Sequence, residues 1–328
     1  MTQNLSILVV GGAVAPAAQE AARARGLTLS SCKPYPDARE LADAAHEVQA
    51  QALILRLGRI PREAIANLQT VRIIAKHGVG IDGIDVEAAS EQGIPIVVAG
   101  GANAQSVAEQ CLALLLGVAR STAWLDRRIR EGHWDKSTYA GTEVAGKAVG
   151  LVGLGAIGRA FLTLLRPFGV TARVYDPYLP AHLLPEGTEP VDDVETLLAS
   201  SDIVSLHCPL TPENRGLIDA DMIARMRLGA ILLNTARGEL VDEAALVAAL
   251  RDGRLGGAGL DTFASEPIAP DHPLLALDNV VVSPHVGANT HEARARVGVR
   301  CIEQIADYLE RGTLDPCNHI NKAVLATV

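Results

Sequence analysis

Arg237, Glu266 and His285 lie far apart in the chain, yet together they make a chemically complete set. Arg237 stands in Asn234-Thr235-Ala236-Arg237-Gly238, just beyond the apolar run 230–234. Its planar fork can grip a carboxylate through two parallel hydrogen bonds, which lysine cannot reproduce. His285 stands in Ser283-Pro284-His285-Val286-Gly287 after the apolar run 280–283, and an imidazole can give or take a proton near neutral pH. Glu266, in Ser265-Glu266-Pro267, can hydrogen-bond that imidazole, orient it and favour its charged form. Reduction of a 2-keto acid needs these three services: a fixed cation for the carboxylate, a proton donor for the C2 oxygen, and a group that holds the donor in the right tautomer. Each residue also has an ordinary use, because an arginine can pair with a helix carboxylate and Glu-Pro can simply open a turn. The coincidence of all three points to chemistry.

The hydride must come from a carrier, and Gly153-Leu154-Gly155-Ala156-Ile157-Gly158 suits one. It follows the apolar run 148–152 and opens a helical stretch at 159–166, the context a phosphate-binding turn requires. Gly153 permits the tight turn, Gly155 lets backbone approach a pyrophosphate, and Gly158 allows close packing of helix on strand. The first helical residues, Ala156 and Ile157, offer backbone N–H groups and the positive end of the helix dipole. Asp176 ends the next apolar strand, where a carboxylate hydrogen-bonds the adenosine ribose and repels a 2′-phosphate, so NAD is expected over NADP. His207, ending another strand before Cys208-Pro209, is expected to shape the cofactor cleft.

The elements that must hold these residues alternate between short apolar strands and amphipathic helices. Strands are expected at 6–10, 52–56, 71–75 and 95–98, with helices at 16–25, 38–49 and 86–92 between them. A single long helix over 103–130 follows, with Asn103 as its cap. A second alternating run places strands at 148–152, 171–175, 203–207, 230–234, 257–260 and 280–283, matching a dinucleotide-binding doubly wound sheet. Residues 290–311 form a last helix, after which 318–328 trail off; the simplest packing returns this helix to the first domain.

Composition narrows the classes. The chain has 328 residues, too many for one ordinary core, with 48% hydrophobic and 3% aromatic residues, so its core is built from aliphatic side chains suited to buried parallel strands. A net charge of −9 without a dense Lys/Arg run argues against nucleic acid and anionic membranes as partners. The first residues carry no basic leader and no apolar run is long enough to span a bilayer, so a cytoplasmic location is expected. Five scattered cysteines with no CxxC or Cys/His cluster suggest neither a disulfide framework nor a metal site. Trp124 and Trp134 are expected at a domain or subunit boundary, and His319 at the surface or a boundary.

The sequence resembles the D-isomer-specific 2-hydroxyacid dehydrogenase family, which includes phosphoglycerate dehydrogenases and hydroxypyruvate/glyoxylate reductases. The resemblance runs over nearly the whole chain. It rests on Lys76-His77-Gly78-Val79-Gly80-Ile81-Asp82, Asn103-Ala104-Gln105-Ser106-Val107-Ala108-Glu109, the glycine turn, His207-Cys208-Pro209-Leu210-Thr211-Pro212 and the segments around Arg237, Glu266 and His285. It implies an α/β fold of two doubly wound parallel-sheet domains. A Rossmann NAD-binding domain would span 102–288, and a smaller flavodoxin-like substrate domain would combine 1–101 with 289–328. The family's Arg–Glu–His catalytic set falls on Arg237, Glu266 and His285. The resemblance further implies that Lys76, His77, Gly78, Val79 and Gly80 meet the substrate carboxylate, largely through backbone amides. Cys208, Pro209, Thr235 and Ala236 would line the cofactor, with Ser106, Asp261 and Gly287 close to it. It also implies a homodimer built around 103–130.

Two departures bear on the substrate. The loop from Arg56 reads Arg56-Leu57-Gly58-Arg59 where phosphoglycerate dehydrogenases usually continue with hydroxyl residues, and Lys76-His77 replace the common Arg-Ala. Cationic character is retained, with Arg56 as a further substrate candidate, but phosphoglycerate itself is placed in doubt. The residues after the last helix are too few for the regulatory domain of longer phosphoglycerate dehydrogenases, so none is expected. The expected partner is thus a small 2-keto or 2-hydroxy acid. An NAD-sensing regulator like the corepressors of this fold, and a phosphite-type dehydrogenase, stand as alternatives.

Overall fold

The structure, a computed structural model, describes residues 5–327. The chain divides into two compact units, Met1–Asn103 with Ala288–Val328, and Ala104–Gly287.

The first unit runs β1 (Leu5–Val10), α1 (Pro16–Ala24), β2 (Leu27–Cys32), α2 (Ala38–Glu47), β3 (Ala52–Leu55), α3 (Arg62–Ile65), β4 (Ile73–Lys76), α4 (Val86–Glu91) and β5 (Ile96–Val98). The sheet is parallel in the order β2-β1-β3-β4-β5, the flavodoxin arrangement. Every residue of the central strand β3, Ala-Leu-Ile-Leu, is buried, because helices cover both faces of the sheet. Helix starts are set locally: Asp37 and Glu40 form a reciprocal capping box on α2, and Asp85 caps α4.

Sequence periodicity misses β2. Its Leu-Thr-Leu-Ser-Ser-Cys is too polar to signal a buried strand, and pairing along the whole of β1 makes it an edge strand. The opposite edge is closed by the segment expected to trail away. The Val98 N–H donates to the Asn318 carbonyl (3.0 Å), the Ile320 N–H to the Ile96 carbonyl (2.9 Å), and the Ile96 N–H to Asn321 Oδ1 (2.8 Å). These bonds satisfy backbone that an open edge would expose, and His319, expected at the surface or a boundary, is buried among them.

The second unit runs α5 (Ala104–Ala119), α6 (Thr122–Arg130), β6 (Ala148–Val152), α7 (Ala156–Leu165), β7 (Thr171–Tyr175), β8 (Thr188–Pro190), α8 (Val194–Ser200), β9 (Ile203–Leu206), α9 (Ala220–Arg225), β10 (Ala230–Asn234), α10 (Glu243–Arg251), β11 (Leu255–Leu260) and β12 (Val280–Val282). Its sheet is parallel throughout, ordered β12-β11-β10-β9-β6-β7-β8, with the order reversing beside β6. This is the six-strand Rossmann order, β8-β7-β6-β9-β10-β11, with β12 added beyond β11. The chain then returns to the first unit as α11 (His291–Arg311), capped by Thr290 and ended at Gly312 in the left-handed region.

The single helix expected over 103–130 is two. Ser121 adopts φ 47°, which breaks the run between α5 and α6. No glycine or proline announces the break; tertiary packing makes it. α5 is held along the sheet, and β11 (Leu-Gly-Gly-Ala-Gly-Leu) gives it room, since a Cβ on Gly259 would stand 2.9 Å from both Leu114 Cβ and Leu233 Cδ2. α6 buries no residue. Trp124 stacks on Tyr139 with Arg128 over its ring, while Trp134 is exposed. Among the described residues no helix is long and apolar enough to cross a membrane.

The glycine face of β11 makes one expectation measurable. Gly259→Val should overpack the α5–β11 contact and destabilise the protein by about 1–3 kcal/mol, read as a lower urea midpoint at unchanged m-value.

Candidate active site

In a parallel sheet all strands end at the same edge, so the loops that follow them gather there. The glycine turn follows β6, Asp176 follows β7, His207 and Cys208 follow β9, residues 235–237 follow β10, Asp261 and Glu266 follow β11, and His285 follows β12.

The turn after β6 is shaped by absent side chains. Gly153 has φ 91°, and a Cβ on it would lie 3.0 Å from the Cys208 nitrogen. A Cβ on Gly158 would stand 2.8 Å from the Gly153 carbonyl oxygen, so glycine lets α7 start tight against the turn. Gly155 caps α7 without any side-chain hydrogen bond, and the space a Cβ would take there is open. Backbone N–H groups of Ala156 and Ile157 thus begin the helix with no side chain covering them. Asp176 sits beside the turn, accepting from the Leu154 N–H at 2.9 Å and the Tyr178 N–H at 3.1 Å. An uncovered helix start, an open glycine and a carboxylate at the next strand end fit a dinucleotide.

His207 lies under this turn. Its Nε2 is 2.9 Å from Ser205 Oγ, which is 3.3 Å from Cys111 Sγ, and its ring packs on Phe161. Burial depresses its pKa to about 4, so it is a neutral structural imidazole at working pH. The Cys208 thiol is pushed up to about 11 by burial, with the Asp176 charge adding to the effect, and is therefore protonated. Asn214, which sequence reasoning passed over, ties this loop by donating to the Pro209 carbonyl (2.7 Å) and accepting from the Thr211 N–H (2.7 Å).

The Arg237 turn is built by Asn234. Its Oδ1 accepts from the Ala236 N–H (3.0 Å) and its Nδ2 donates to the Arg237 carbonyl (2.7 Å), an Asx-type closure legible in the dipeptide Asn-Thr. Arg237 donates from Nη1 to the Ala236 carbonyl at 2.7 Å. Gly238 follows, and a Cβ on it would overlap the Phe263 carbonyl carbon and the Ala264 nitrogen. Backbone thus rests on backbone, which brings the Arg237 turn against the loop that carries Glu266.

His285 Nδ1 is 2.8 Å from Glu266 Oε2, and the Phe263 N–H donates to Glu266 Oε1 at 3.1 Å. Burial would raise the Glu266 pKa, but the hydrogen bonds from His285 and Phe263 and the charge of Arg237 outweigh it and hold it below the usual value. Glu266 is therefore a carboxylate at neutral pH, in contact with His285 and within reach of the Arg237 charge. The His285 backbone is in the left-handed region (φ 52°) and is held there by Asp261. The Asp261 carbonyl accepts the His285 N–H (2.7 Å). Its buried carboxylate accepts from Ser283 Oγ (2.6 Å), the Val286 N–H (2.9 Å) and the Gly287 N–H (2.8 Å). Gln110 Nε2 completes the anchor by donating to Ser283 Oγ at 2.8 Å. Gln110 gave no sign in the sequence, since nothing there places α5 beside β12, and Ser283 stood in the His285 motif without an assigned role. Thr235 and Ser106 are buried, Ser106 in the first turn of α5.

The remaining sequence-derived residues belong to the first unit. Arg56 follows β3 and donates from Nη1 to the carbonyls of Gly11 (2.9 Å) and Ala13 (2.6 Å), so part of its fork is committed to the loop after β1. Lys76 ends β4, with Nζ 3.2 Å from the Arg56 carbonyl. Burial, followed by the charges of Arg56 and Lys76, lowers the His77 pKa to about 4, which makes it a neutral side chain. Gly78 turns the loop at φ 143°, Val79 is exposed and Gly80 is half-buried.

A Rossmann sheet with this glycine turn defines a dinucleotide-binding domain. Residues 112–287 match the family model "D-isomer specific 2-hydroxyacid dehydrogenase, NAD binding domain". The chain is 42% identical over 267 residues to a D-3-phosphoglycerate dehydrogenase of Methanocaldococcus jannaschii, covering 81% of this chain and 51% of that protein. It is 41% identical over 260 residues to a hydroxypyruvate reductase of Thermotoga maritima, covering 78% of this chain and 84% of that one. The solved structure of a glyoxylate reductase from Paecilomyes thermophila superposes with TM-score 0.87 at 29% identity, over 98% of this chain and 100% of that chain. The chain spans about half the length of the phosphoglycerate dehydrogenases it matches. It belongs to the D-isomer specific 2-hydroxyacid dehydrogenase family, as its motifs imply, and its second unit is of that family's nicotinamide-dinucleotide-binding kind.

The two desolvated histidines give a pH prediction. An unfolded chain protonates His207 near 6.5, whereas the folded protein resists until about 4. Between those values the unfolded state binds more protons, so stability falls as pH falls from 6.5 to 4, by up to about 3 kcal/mol for this residue. His77 adds in the same direction. The urea midpoint should drop across that window, and His207→Gln should flatten the slope.

Proposed function

We propose that this chain is an NAD-dependent dehydrogenase that interconverts a small D-2-hydroxy acid and its 2-keto acid. The observation that carries the reading is the Glu266–His285 contact at 2.8 Å with the Arg237 charge beside it. The bound nicotinamide supplies or accepts the hydride. Arg237 would grip the substrate carboxylate and polarise its carbonyl. With Nδ1 hydrogen-bonded to a carboxylate, the His285 ring keeps a proton on Nδ1 and leaves Nε2 to exchange a proton with the C2 oxygen. Glu266 stays ionised throughout and holds the ring in that orientation. Residues 1–101 with 289–328 form the proposed substrate domain, contributing Lys76, His77, Gly78, Val79, Gly80 and Arg56. Residues 102–288 form the proposed cofactor domain, in which Gly153–Gly158, Asp176, His207–Pro209, Thr235, Ala236, Asp261, Ser106 and Gly287 bind or frame NAD.

Asp176 supports NAD over NADP, since its carboxylate repels a 2′-phosphate. A net charge of −9 with no dense Lys/Arg run argues against nucleic acid as the partner. α6, with no buried residue and with Ile129 and Trp134 exposed nearby, supports a homodimer through that segment.

Hydroxypyruvate, glyoxylate and phosphohydroxypyruvate, each offered with NADH and with NADPH, test the reading. Turnover should appear with NADH, and Asp176→Ala should narrow the preference. His285→Ala and Arg237→Ala should each cut kcat/KM by roughly 10²–10⁴-fold while leaving NADH binding intact, and wild-type rates in either would remove that residue from the mechanism. Absence of turnover throughout the panel would favour the regulator. Light scattering should give twice the chain mass, falling to the monomer in Ile129→Glu/Trp134→Glu.

A further inference from the structure

The loop at 263–267 must hold Glu266 steady, and a second carboxylate–imidazole couple stands behind it. Glu243, the first residue of α10, accepts the Ala264 N–H on Oε1 at 2.8 Å, and its Oε2 lies 3.3 Å from His272 Nε2. His272 Nδ1 accepts the Leu274 N–H at 3.3 Å, so in the neutral ring the proton sits on Nε2, aimed at Glu243. An acidic residue in a first helical turn ordinarily serves its own helix. Here Asp242 already caps α10 by accepting from the N–H groups of Ala244 and Ala245, and Glu243 reaches away from its helix instead. Both partners are four-fifths buried or close to it, which strengthens bonds that would be weak in water. The Ala264 N–H that Glu243 holds is two residues from Glu266 and directly follows Phe263, whose own N–H donates to Glu266 Oε1.

We propose that Glu243, oriented by His272, is a positioning residue for the reaction. It pins the 263–267 loop so that Glu266 stands at the distance that fixes the His285 ring. The proposal rests on the reading of Glu266 and His285 as the acid–base pair.

A double-mutant cycle tests it, with hydroxypyruvate and NADH as substrates. Glu243→Ala should lower kcat roughly tenfold, the worth of one hydrogen bond to a charged group, with KM for NADH within about twofold of wild type. Glu243→Gln keeps an acceptor for the Ala264 N–H and should recover most of that loss. In a Glu266→Gln background Glu243→Ala should add nothing, because it acts only through Glu266. An undiminished kcat in Glu243→Ala, or a loss that multiplies with that of Glu266→Gln, would overturn the positioning role alone. A full kcat in Glu266→Gln by itself would overturn the acid–base reading and this role with it. Should Glu243→Ala fail to fold, the same cycle run with His272→Ala carries the same expectations.

Discussion

A carboxylate that is 1% exposed must have its charge met by donors, and at Asp261 the donors are the active-site loop itself. Ser283, Val286 and Gly287 all turn toward it, and its backbone carbonyl takes the His285 N–H. A left-handed histidine costs local energy that isolated sequence would not sustain, and here the cost is offset by four converging hydrogen bonds. Loss of that carboxylate would release both the backbone angle of His285 and the direction of its ring. The remaining geometry of the proposed chemistry is fixed relative to this anchor.

Gly238 supplies the complementary constraint. Arg237 and Glu266 come from turns after neighbouring strands, and any side chain at 238 would occupy the space where those two backbones touch. Close approach of backbone, more than attraction between side chains, sets the guanidinium where its charge lowers the Glu266 pKa. Buried polar atoms then divide the work. Asp261 holds the histidine loop, Asn234 the arginine turn and Glu243 the glutamate loop, while the exposed members Glu266 and His285 remain available for proton exchange.

The elements that local pattern missed share one cause. β2 and β8 lie at sheet edges, where half the side chains meet water and the apolar signal fades. The break at Ser121 has no breaker residue, because it arises where a helix packed on glycines of β11 gives way to one that buries nothing. The segment at 318–321 carries no strand pattern, yet it closes the edge of β5 through alternating backbone and asparagine bonds. In each case the deciding contact comes from residues distant in sequence, which periodicity cannot register.

Sequence alone determined the alternating α/β plan, the phosphate-binding glycine turn and the residue types Arg, Glu and His at three strand ends. Those features depend on local spacing, strand hydrophobicity and the steric freedom of glycine, all of which are written in consecutive residues. Tertiary structure alone decided that Glu266 and His285 touch, that His207 and His77 are neutral and largely desolvated, that Arg56 spends donors on the Gly11 and Ala13 carbonyls, and that Asp261 and Glu243 brace the reactive loops. These are facts of burial and of pairing across separate strands, and they exist only once the parallel sheet has brought its carboxyl ends to one edge.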